Sequence, residues 1–74
     1  MSLEKIQGII AETLGVGLPK PTARLREDLD ADSLNIAELV SALKREFGIQ
    51  ISDADWEHVT DVASLAALVK KKTG

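Results

Sequence analysis

The segment Asp28-Leu29-Asp30-Ala31-Asp32-Ser33-Leu34 brings a serine hydroxyl to the point where an acidic stretch gives way to an amphipathic helix. Asp28, Asp30 and Asp32 have the spacing of the first, third and fifth positions of an EF-hand calcium loop. Ser33, however, stands sixth, where glycine is required, and Leu39 twelfth, where a bidentate glutamate is required, so no metal site is read here. A nucleophilic serine needs a neighbouring base and an oxyanion hole. The sole histidine is His58, no Gly-x-Ser-x-Gly turn is present, and His58 reads as a surface residue. The chain is therefore read as non-catalytic, and Ser33 as an attachment point on which other proteins act.

Electrostatics support that reading. The first N–H groups of a helix lack intrahelical partners and sit at the positive end of the macrodipole, so a phosphate ester is favoured there. Asp32 is a strong N-cap candidate, which would put Ser33 in the first turn of the helix. The same two residues also describe an ordinary helix start, and local chemistry does not decide between the two.

Length and composition narrow the class. Residues 1–74 fit one small domain, near the lower limit for folding without staples. With no cysteine, the chain forms no disulfide, and any thioester must rest on an added group. A net charge of −3 argues against a nucleic-acid partner and points to basic protein partners. No apolar run is long enough to span a bilayer and the start lacks a secretory layout, so the expectation is a cytoplasmic protein without stable membrane insertion. No large apolar patch calls for a second copy, and a monomer is expected.

The elements that must position Ser33 follow from hydrophobic spacing. Leu3, Ile6, Ile10 and Leu14 predict a helix over 3–14, with Gly15 as its stop. From Gly15 to Asp32 no periodicity holds and Gly17, Pro19 and Pro21 intervene, predicting a long structured loop tied to the core by Leu18, Leu25 and Leu29. Ile36, Leu39, Val40, Leu43 and Phe47 form the stripe of a second helix ended by Gly48, with Leu34, Ala37 and Glu38 on its other face. Ile49-Gln50-Ile51 is too short for a sheet, and Ser52 to Glu57 predicts a brief third helix. Thr60 or Asp61 caps a last helix that turns Val62, Leu65, Ala66 and Val69 inward. Its closing Lys70, Lys71 and Lys72 read as complements to the helix dipole.

Taken together, Asp32-Ser33-Leu34 opening a helix, Glu38-Leu39 one turn on, Phe47 at its end, Ile51-Ser52-Asp53 beyond and the acidic approach Glu27-Asp28-Leu29-Asp30-Ala31 resemble the acyl carrier proteins over nearly the whole chain. The resemblance implies an all-α four-helix bundle, with three longer helices and a short one. It also implies a 4′-phosphopantetheine joined through a phosphodiester to Ser33, flanked by Asp32 and Leu34. The arm's thiol would hold acyl intermediates as thioesters for fatty acid, polyketide or a related specialised biosynthesis. Implied partners are a phosphopantetheinyl transferase and acyl-loading and condensing enzymes. Asp28, Asp30, Asp32 and Glu38 would face basic patches on them, while Leu34 and Ala37 would offer a small apolar contact. An aminoacyl or peptidyl carrier and an unmodified helical interaction module stand as alternatives.

The chain departs from the family pattern in three places. Asn35 stands where an acidic residue is common, and Lys44 and Arg45 replace acidic residues near the helix end. Either these dilute the negative docking face for a dedicated set of partners, or they are neutral surface changes. Trp56 stands where many relatives carry a small residue beside the acyl cavity. It either fills that cavity, limiting cargo to short or polar groups, or covers the edge of the core.

Overall fold

The computed structural model describes residues 3–74, and among these all regular structure is helical: α1 (Leu3–Leu14), α2 (Ser33–Phe47), α3 (Asp53–Trp56) and α4 (Val62–Thr73). The three long helices pack pairwise, α1 against α2 and α4, and α2 against α4. Their apolar stripes meet in one core, where Ile6, Ile10, Leu39, Leu43, Val62, Leu65 and Val69 are all fully buried. Each such aliphatic side chain contributes about 2 kcal/mol of transfer free energy, before conformational entropy is set against it.

The helix ends are chemically determined. Gly15 and Gly48 take left-handed backbone angles, with φ of 68° and 62°, and so stop α1 and α2 at little steric cost. Asp32 caps α2, Ser52 caps α3 and Asp61 caps α4, each through a reciprocal box in which the third helical residue bonds back to the cap. Asp and Ser exchange roles between the last two: Ser52 caps with Asp55 answering, whereas Asp61 caps with Ser64 answering.

The long α1–α2 connection is folded onto the bundle. Arg24 and Asp61 form an isolated antiparallel bridge, in which Leu25 N–H donates to the Thr60 carbonyl and Val62 N–H to the Ala23 carbonyl. Gln7 on α1 donates through Nε2 to the Pro19 carbonyl at 2.8 Å. Leu25 is buried and Leu29 packs against the core, as expected, but Leu18 is 73% exposed and ties nothing down. The backbone bonds through Ala23 and Leu25 and the Gln7 contact at Pro19 do the anchoring that sequence spacing assigned to Leu18. A radius of gyration of 10.8 Å, against about 11 Å for a folded chain of this length, fits a loop laid against the helices.

Candidate functional site

Ser33 is exposed in the first turn of α2. The turn before it is built to present it. Asp28 N–H and Leu29 N–H both donate to the Arg24 carbonyl, Ala31 N–H donates to the Leu25 carbonyl, and Ala31 is buried as the last anchor before the helix. Asp30 between them has φ of 56°, a left-handed conformation that Asp tolerates better than most residues, and it turns the chain into the cap.

The cap leaves the serine alone. Asn35 N–H donates to Asp32 Oδ1 at 2.8 Å, Asp32 N–H donates to Asn35 Oδ1 at 3.2 Å, and Ile36 N–H donates to the Asp32 carbonyl. The N–H groups of Ser33 and Leu34 are the remaining first-turn donors, without intrahelical partners by the geometry of any α-helix. A negatively charged ester oxygen beside them is electrostatically favoured.

Beside Ser33 runs a groove of about 490 Å³ between α2 and α3. Ser33 and Ala37 line one side, Ile36, Val40 and Ile51 its apolar depth, and Ser52, Asp53, Trp56 and Glu57 its α3 wall. Trp56 is half-buried: its indole packs against the core cluster and also faces the groove.

The acidic candidates do not line this groove: Asp28 and Asp30 border a depression of the α1–α2 loop, and Glu38 another beside Arg45. Asp30, Asp32 and Glu38 are exposed. Asp28 is exposed but engaged, accepting the Arg24 N–H at 2.8 Å and lying 3.7 Å from Arg24 Nε. Leu34 is 66% exposed next to the serine. Arg45 does not reach the groove; it shares a shallow depression with Ala37, Glu38 and Ser41, and a second one with Glu12 and Glu46 on the α1 side. Lys44 is half-exposed and His58 exposed. Among the described residues no three His, Cys, Asp or Glu side chains gather as a metal cage, and no helix is long and apolar enough to cross a membrane.

A family model described as a phosphopantetheine attachment site matches residues 4–69, a span that includes Ser33 and the groove. An acyl carrier protein of Solidesulfovibrio magneticus is 40% identical over 73 residues, covering 96% of this chain and 94% of the relative. The chain belongs to the acyl carrier protein family. A Thermotoga maritima acyl carrier protein is 40% identical over 72 residues, covering 95% of this chain and 89% of that one. One from Nitratidesulfovibrio vulgaris is 45% identical over 71 residues, covering 93% of both. A chain of the solved structure described as the ishigamide ketosynthase/chain length factor superposes with a TM-score of 0.78 at 30% identity, over 97% of this chain and 93% of that one.

Acyl carrier proteins are carriers rather than catalysts, and they hold a covalently attached 4′-phosphopantetheine. The residues present fit such a group: an exposed serine hydroxyl not drawn on by the cap, two first-turn N–H donors beside it, and an apolar groove alongside. Of the sequence candidates, the structure brings Ser33 and Trp56 to this groove and puts Asp32 in the cap beside it, together with two features that spacing alone did not single out. Asn35, which departs from the family's acidic pattern, completes the capping box; an Asp-x-x-Asn pattern at a helix start is the signal for that role. The α3 wall was missed because Asp53 and Glu57 meet α2 only in the folded chain.

Proposed function

We propose that the Ser33 hydroxyl is the attachment point of the 4′-phosphopantetheine and that residues 1–74 work as one monomeric, cytoplasmic carrier unit serving fatty acid or polyketide assembly. When bound, that group supplies the thiol on which acyl chains are held as thioesters. This chain's own residues do the rest. Asp32 and Asn35 close the helix end so that the first-turn N–H groups face the ester, and Ile36, Val40, Ile51 and Trp56 give an apolar carbon chain a surface out of water. The exposed, uncommitted hydroxyl at the mouth of that groove is the observation that carries the reading.

The acyl carrier relatives support acyl over aminoacyl cargo, and the fold neighbour supports a ketosynthase as one partner. Asp30, Asp32 and Glu38 with Leu34 and Ala37 make the docking face, acidic around a small apolar centre, suited to a basic partner surface. Arg45 beside Glu38 interrupts that charge, which supports a dedicated partner set. The half-buried Trp56 narrows the groove and favours short or polar cargo.

The test is incubation with coenzyme A and a broad-specificity phosphopantetheinyl transferase. Wild type gains the mass of one phosphopantetheine and Ser33→Ala gains none; an unmodified wild type overturns the proposal. In the same assay the loading rate falls as salt is raised, because exposed charges are screened. The Lys44→Glu, Arg45→Glu double variant is loaded faster by enzymes that serve strongly acidic carriers. An unchanged rate removes the dedicated-partner reading.

A further inference from the structure

α3 stands between two voids. On its inner side lies the groove beside Ser33; on its outer side, between α3 and α4, lies a cavity of about 320 Å³ bordered by Asp55, His58, Val59, Leu68 and Lys71. The helix is four residues long and contains no buried residue, so burial fixes it far less than it fixes the long helices. Trp56 and Val59 pack against the edge of the core. A further restraint crosses the outer side: Lys72 Nζ meets Asp55 Oδ2 at 2.7 Å.

That contact is unlike the other ion pairs among the described residues. Lys5–Glu46, Arg24–Glu27 and Arg24–Asp28 span 3.4 to 3.7 Å between side chains about half exposed, whereas the side chains of Lys72 and Asp55 retain 31% and 26% of their exposure. Both ends are ordered. Asp55 is also the residue that bonds back to the Ser52 cap, and the last turn of α4 is closed by Gly74 N–H and Thr73 Oγ1 donating to the Lys70 carbonyl. The Lys72 hydrogen bond, followed by that from Ser52, holds the Asp55 carboxyl down to about 2, so the carboxylate is charged throughout the neutral range.

We propose that Lys72 is a positioning residue for the cargo groove: its bond to Asp55 pins α3 toward α4, fixing the wall that carries Trp56 and with it the width of the groove. Space for α3 to shift exists on both of its sides, and this bond sets where it rests. Losing the ammonium frees the wall to leave α4 and settle toward α2, which narrows the groove and shortens the acyl chain it shelters, although Lys72 lies on a different helix from Ser33 and does not line the groove. The inference rests on the groove being the cargo site.

Lys72→Met, which keeps the apolar stem, and Lys72→Arg, which keeps the charge, test it. In the unloaded protein, amide exchange at Trp56, Glu57 and His58 quickens about twofold to fivefold in Lys72→Met, the range expected from losing a partly exposed ion pair. Amides of α2 stay unchanged, and Lys72→Arg behaves as wild type. In the loaded protein, a series of straight-chain acyl thioesters is challenged with hydroxylamine, and the longest chain protected from it becomes shorter in Lys72→Met alone. Unchanged exchange in α3, an equal rise across α2 and α4, or an unchanged chain-length profile overturns the proposal. Should wild type accept no phosphopantetheine, the carrier reading fails, while exchange in the unloaded protein still decides whether the bond pins α3.

Discussion

The interface of α1, α2 and α4 and the α3 wall of the groove are held by different physics. The first is apolar and dry, with fully buried Ile, Leu and Val contributed by all three long helices. The second consists of a four-residue helix, two half-buried side chains, a capping box and one ion pair. Contacts of the first kind resist motion because removing any one leaves a cavity that closely packed neighbours cannot fill. Contacts of the second kind are exchanged for water at modest cost, so a single substitution can shift the wall without unfolding the protein. The proposed attachment at Ser33 draws on both: an unchanging platform for the serine and a side wall that can yield.

The sharpest way to break that contrast is in the core. Leu43→Ala should cost about 3 kcal/mol, read as a lower urea midpoint, and in so small a domain that is a large share of total stability. If α3 substitutions cost as much, the two regions are not distinct. Next in size is the platform's own fastening. Asp32→Ala removes the α2 cap and should destabilise by about 1 kcal/mol in the same measurement. Its loss should leave amide exchange in α3 unaltered.

Acid provides the finest discrimination. The Asp55 carboxyl is lowered from 3.8 to about 2, chiefly by Lys72, and that of Asp61 is lowered by the Ser64 backbone and hydroxyl. Groups whose folded values are depressed add stability that is fully present above the unfolded value, and lose it as pH falls through the folded one. The urea midpoint should therefore hold above about pH 4 and decline toward pH 2. In Lys72→Met the decline should be shallower, because Asp55 returns toward its ordinary value; equal slopes would show that the pair contributes nothing to this dependence.

The two regions also differed in how readily the sequence disclosed them. The platform was legible: Leu3 to Leu14 bounds α1, Asp32 caps α2, Gly48 stops it, and the stripe Ile36, Leu39, Leu43 is buried as its period requires. Helical periodicity and caps are local signals, written in residues three and four apart. The wall was not legible to the same extent. Lys72 read as a dipole complement, since nothing in its surroundings along the chain announces a partner seventeen residues earlier. The Arg24–Asp61 bridge escaped for the same reason, being a backbone pairing with no side-chain pattern. Leu18 misled in the opposite direction: Leu25 and Leu29 do anchor the loop, but beside Leu18 the fastening is the Gln7 bond to the Pro19 carbonyl. Spacing along the chain does not decide between the two readings of Trp56, whose side chain both packs against the core and lines the groove.

At the start of α2, Asp32 and Asn35 complete each other, so the neighbouring hydroxyl is surplus to the architecture. Esterifying a surplus group sacrifices no bond on which folding relies. Loading such a hydroxyl therefore removes no contact that holds the fold, and any change in folding stability comes from what the added group itself touches.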